Sequence, residues 1–110
     1  MKKHLITTAL LLLFSSFSVN AGTIDCGYQN VTVMYVQSER SDGSVHGNKL
    51  LMRLVGDCPD YGYVSNTDPA FSGMLSLLMA VKMNNQKVRV VVNDGPLIAG
   101  AARIEFLNLQ

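Results

Sequence analysis

Few residues in this chain have the types and spacing that covalent chemistry needs. His46 lies in a polar, glycine-punctuated stretch, Ser38 to Asn48 (S-E-R-S-D-G-S-V-H-G-N), two residues after Ser44. That separation does not make a nucleophile and its base. No Gly-x-Ser-x-Gly turn or phosphate-cradling glycine loop occurs anywhere in the chain. The carboxylates are scattered along the sequence, so no acid–base pair can be proposed from them. Only His4 and His46 are histidines, and neither sits in a cluster of ligand residues, so no metal and no cofactor is expected. The chain reads as a binder and not as an enzyme.

Other residues suit recognition. Tyr61 and Tyr63, in Y-G-Y-V-S, alternate along a short strand and so share one face of it. Their flat rings can stack on a sugar. Asp42, Ser44 and His46, with Asn48, place short polar groups on one loop, where a glycan could be held. Each has a plainer reading. The tyrosines fit the amphipathic edge of any sheet, and the loop residues are ordinary turn formers. Arg53, Arg89 and Arg103 alternate with apolar neighbours, the pattern of half-exposed strands.

Residues 1–21 read as a secretory signal peptide. Lys2 and Lys3 start it, Leu5 to Phe14 is its apolar core, and Val19-Asn20-Ala21 is a small-residue cleavage site. The expected mature part, residues 22–110, is a single small domain that is secreted or periplasmic. Export puts Cys26 and Cys58, the only two cysteines, in an oxidising compartment, and a disulfide between them is expected. Without Lys2 and Lys3, the nine basic residues fall to seven, against eight acidic ones. No charge run exists, which argues against a nucleic-acid partner.

The elements that must position these groups centre on Asp68 to Asn93. Asp68 is read as a helix N-cap and Pro69 as the first helical residue, with the helix running to about Met83 and ending at Asn84-Asn85. It is too short for a membrane span and holds Lys82. Phe71, Met74, Leu75, Leu77, Leu78 and Val81 form a very wide apolar arc, and Ser72 and Ser76 mark a narrower, less apolar line. A helix lying on a small domain normally keeps a broad polar face. Two readings follow: a central helix in an ordinary core, or one that also packs on a neighbouring subunit through Met74, Leu77 and Val81. Strands are expected over Tyr28–Gln37, Lys49–Val55, Tyr61–Ser65, Lys87–Val92 and Ala101–Leu109. The order β-β-β-α-β-β is mainly β with one helix, and it is the order of a five-stranded OB-fold, a small Greek-key barrel. Other α+β sandwiches share it.

The segment Phe71 to Val92 resembles the helix-then-strand segment of the pentameric B subunits of AB-type bacterial toxins of the Shiga, pertussis and subtilase kinds. Leu77-Leu78-Met79-Ala80 matches their Leu-rich helix with a small residue, Val88-Arg89-Val90 their following strand, and A-R-I-E-F-L their closing strand. The resemblance implies an OB-fold and a homo-oligomeric ring, a pentamer, with Ser72 and Ser76 toward its centre. It also implies a cell-surface glycan ligand and a separate catalytic A subunit. It supplies no sugar-binding residues position by position. The same pattern is similar to small exported bacterial proteins with no assigned role, which implies instead a non-enzymatic interaction domain.

Overall fold

The computed structural model describes residues 22–110; the leader read over residues 1–21 lies outside the described residues. Six strands and one helix follow in the order β1 (Thr23–Asn30), β2 (Met34–Gln37), β3 (Lys49–Arg53), β4 (Tyr61–Ser65), α1 (Phe71–Met83), β5 (Lys87–Asn93) and β6 (Ala101–Asn108). The fold is mainly β with one helix, as the alternation of apolar residues predicts. The strands form one mixed sheet ordered β1-β5-β6-β4-β3-β2. Neighbours are antiparallel except β4 and β6, which run parallel.

Six strands replace the expected five because the first is divided. Val31, Thr32 and Val33 interrupt it, and its two halves lie at opposite edges of the sheet. A flat six-stranded sheet would hold its edges about 24 Å apart. The four Cα steps from Asn30 to Met34 reach at most about 15 Å. The sheet must therefore roll, although β1 and β2 do not pair and no closed barrel forms. Val31 is buried within the link and joins the core.

The start of β1 lies earlier than expected. The first strand is expected from Tyr28, yet β1 begins at Thr23 and pairs with β5. A bulge between Asp25 and Tyr28 takes up Cys26 and Gly27, with Gly27 at a φ of 69° that favours glycine. The Asp25 carboxylate accepts the Gly27 N–H at 2.8 Å. Cys26 packs against the core there and is joined to Cys58.

The rolled sheet encloses Leu50, Met52, Val64, Val88, Val90, Val92, Ala102 and Ile104, and α1 covers the opening with Leu78 and Val81. Gly62 has no room for a side chain, since a Cβ would sit 2.9 Å from Ile104 Cγ1.

The helix starts two residues later than the sequence suggests. Its N-cap is Ala70, and Asp68 closes the turn before it, with its carboxylate accepting from the Ala70 N–H at 2.8 Å and its carbonyl from the Phe71 N–H. The stop at Asn84-Asn85 is as expected. Asn85 turns left-handed at φ 51°, its N–H reaches the Lys82 carbonyl, and the Gln86 N–H reaches the Val81 carbonyl. Those paired bonds satisfy two of the helix's free carbonyls and send the chain into β5. No helix among the described residues is long and apolar enough to cross a membrane.

Candidate functional site

The strand period of two sorts β2, β3 and β4 into two faces. Leu50, Met52, Gly62 and Val64 point into the core. Tyr35, Lys49, Leu51, Arg53, Tyr61 and Tyr63 point the other way, where no helix of the described residues lies. The register sets Leu51 between Tyr35 and Tyr63, and Arg53 opposite Tyr61. Leu51 is only 4% exposed yet does not belong to the enclosed core, so its neighbours on this outer face shield it.

The two predicted tyrosines thus share a face, and the structure adds a third. Tyr35 is 48% exposed, and its ring lies 6.4 Å from that of Tyr61 at a tilt of 49°. The Arg53 guanidinium stands 5.9 Å from the Tyr61 ring centre, and the Lys49 ammonium 5.9 Å from that of Tyr63. Both distances fall at the outer limit of a cation–ring attraction. Next along the sheet, Arg103 pairs opposite Tyr63 in register and forms an ion pair with Glu105 at 3.0 Å. Three aromatic rings and two cations therefore line the outer sheet surface, an arrangement that can stack a flat or ring-shaped ligand and fix a polar substituent beside it.

The loop from Ser38 to Asn48 is tied mainly to itself. Arg40 holds Asp42 through two hydrogen bonds, at 2.6 and 3.1 Å, and reaches the Gln37 side chain at 3.0 Å. Asp42 also accepts the Ser44 N–H at 3.1 Å. The Arg40 bond first, then that N–H, keeps the Asp42 carboxyl below the ordinary carboxylate range. The Ser44 hydroxyl accepts the His46 N–H at 3.3 Å. His46 is half-buried, and its Nδ1 has no hydrogen-bond partner among the described residues. Lys49 links loop and face, donating to the Val45 and Gly47 carbonyls while it flanks Tyr63. No hydrogen bond joins the side chains of Asp42, Ser44 or His46 to the tyrosines among the described residues; Asp42 and Ser44 bond within the loop.

The predicted interface residues divide. Val81 is 1% exposed and belongs to the core of its own chain. Its place one turn beyond Leu78 puts it on the inner line of the helix. Met74 and Leu77 are half-buried, and Ser72 and Ser76 are exposed. The helix does have an outward side, but one built of Ser72, Gly73, Ser76, Met79, Ala80 and Met83 beside Lys82. Met79 and Met83 are 44% and 77% exposed. Between Gly73, Met74 and Leu77 on α1 and Phe106 and Leu107 on β6 lies a shallow, open groove of about 380 Å³.

A second cation on the sheet shows what Arg53 lacks. Arg89 bonds Asp25 through Nε and Nη2 at 3.0 and 2.6 Å, donates to Asn108 at 3.2 Å and lies 5.6 Å from the Phe106 ring. The Arg89 hydrogen bond is also the main reason that Asp25 titrates below its ordinary range. Sequence reading placed Arg53 and Arg89 in one class of half-exposed strand residues. It also missed Tyr35 and Lys49, because only the pairing register places them beside Tyr61 and Tyr63. No group of three or more potential metal ligands occurs among the described residues. No protein-family model, curated protein or solved structure matches the chain.

Proposed function

We propose that the chain is an exported, non-enzymatic binding subunit with an OB-like fold, which assembles with copies of itself and holds a cell-surface saccharide on the outer face of β2, β3 and β4. The observation that carries this reading is the set of three tyrosines, Tyr35 exposed and Tyr61 and Tyr63 half-buried, on the outer sheet face. Aromatic rings backed by a rigid sheet stack on sugar rings at low conformational cost. The OB-like reading is supported by the parallel β4–β6 pair and by a first strand whose halves serve both edges of a rolled sheet. Small barrels of that kind bind oligosaccharides on the face formed by their second and third strands, here β3 and β4.

Self-assembly is supported by the weakly polar outer side of α1, where Gly73, Met79, Ala80 and Met83 stand in place of charged residues. A pentameric ring and a separate catalytic partner rest on the resemblance to toxin B subunits. The exported, oxidised protein is the sample to use. Light scattering at micromolar concentration is expected to give a multiple of the subunit mass, and Met79→Glu with Met83→Glu to reduce it to one. A glycan array is expected to show binding that Tyr61→Ala removes. A monomeric wild type overturns the assembly, and an array without a binder overturns the saccharide.

A further inference from the structure

We infer that the hairpin between β5 and β6 is a shallow contact for a zwitterionic lipid surface, with Leu97 as its leading residue and Val55 beside it. Neither the saccharide nor self-assembly enters this inference. From Gly95 to Ala102 the chain reads G-P-L-I-A-G-A-A, without a polar side chain. Most of that run is the connection between two strands, where polar turn formers are the ordinary choice. Leu97 is 50% exposed there, and Pro96, Ala99 and Gly100 are exposed with it.

The backbone of the tip points the same way. The N–H groups of Ile98 and Ala101 each donate to the other's carbonyl at 2.9 Å, and Ala99 and Gly100 between them are left-handed, at φ 45° and 84°. That is the tight hairpin turn whose first position favours asparagine or aspartate. Alanine stands there instead, in a conformation that costs it energy, and keeps the tip free of polar side chains. Neighbouring donors are engaged as well. The Asp94 N–H donates to the Gly22 carbonyl at 3.1 Å and the Gly95 N–H to the Asn93 side chain at 2.7 Å, while Pro96 has no N–H. Backbone groups already paired are cheaper to move from water toward lipid.

The same end of the sheet carries a second protruding apolar residue. Tyr61, at the start of β4, lies opposite Arg53 on β3 and Ala101 on β6, so the turn from β3 to β4 leaves the sheet beside the hairpin. Val55, 62% exposed, opens that turn. Charge then selects the lipid. Residues 53–61 and 93–101 carry three exposed carboxylates, Asp57, Asp60 and Asp94, against one cation, Arg53. A net negative charge is repelled by an anionic membrane and suits headgroups that are neutral overall.

The test is co-sedimentation of the exported, oxidised protein with phosphatidylcholine vesicles that contain no glycolipid, at millimolar lipid. A bound fraction that rises with lipid is expected. Leu97→Asp is expected to lower the partition coefficient at least about tenfold at unchanged melting temperature, since burying one leucine contributes about that factor. Val55→Asp is expected to lower it less. Val45→Asp, which alters a comparably exposed residue at the other end of β3, is expected to leave it unchanged. The chain has no tryptophan, so an introduced one reports the contact. Emission from Leu97→Trp is expected to shift to the blue with vesicles and to be quenched by lipids brominated in their acyl chains, and that from Val45→Trp to do neither. Absence of binding, or equal quenching of both reporters, overturns the inference. Stronger binding to vesicles containing phosphatidylglycerol overturns the lipid class. If Leu97→Asp leaves vesicle binding intact and lowers the mass seen by light scattering, the hairpin is a contact between copies and the inference fails.

Discussion

Gln29 shows how one side chain can hold distant parts of a small fold together. Its type suggests a surface residue, yet it is 3% exposed and the only buried polar residue among those described. Its amide donates to the Cys26 carbonyl at 2.7 Å and the Val55 carbonyl at 3.1 Å, and it accepts the Val55 N–H at 3.1 Å. Those bonds join β1 to the start of the turn that carries Cys58. Gln29→Leu keeps the apolar contacts and leaves three backbone groups without partners. It is expected to cost about 2–3 kcal/mol in urea denaturation, because an unsatisfied buried group loses its water without replacement. The contrast between Arg53 and Arg89 has the same origin. The two share a residue type and a strand setting, but a carboxylate reaches only one of them.

At the scale of the element, α1 resolves the anomaly of its own sequence. The wide apolar arc is used inward: Leu78 and Val81 are buried, and Phe71, Met74, Leu75 and Leu77 pack around them. The outward side is exposed but made of small residues and methionine. A large effect is therefore expected on one side only. Leu78→Ala should cost about 2–5 kcal/mol, since it opens a cavity where Leu78 is fully enclosed. Met79→Ala should change the stability of the dissociated chain by less than about 0.5 kcal/mol. Chemical denaturation at high dilution separates the two. The ends of α1 were legible to different degrees. The Asn84-Asn85 stop acts through a left-handed residue that the sequence names directly. At the other end a turn from Asp68 to Phe71 intervenes, and local sequence does not distinguish it from a first helical turn.

For the whole molecule, the domain is small enough that its core alone gives a narrow margin. The Cys26–Cys58 disulfide spans 32 residues and ties the bulge of β1 to the turn between β3 and β4. Its reduction is expected to lower the unfolding free energy by about 3–4 kcal/mol, by the loop entropy it removes from the unfolded chain. Urea denaturation with and without a reductant reads that difference directly, and an unchanged midpoint would mean that the rolled sheet stands without it.

The sequence by itself determined the element types, the pairing of the only two cysteines, the helix stop, and the common face of Tyr61 and Tyr63. These follow from local periodicity, from composition and from residues with special backbone preferences. Only the tertiary structure decided where the first strand breaks, that its halves lie at opposite sheet edges, and that Val81 turns inward. It also brought Tyr35, Lys49 and Arg53 to the tyrosine face and left Arg53 without a carboxylate. Each of these depends on strand register and on contacts between residues far apart in the chain, and no local pattern encodes which strand lies beside which.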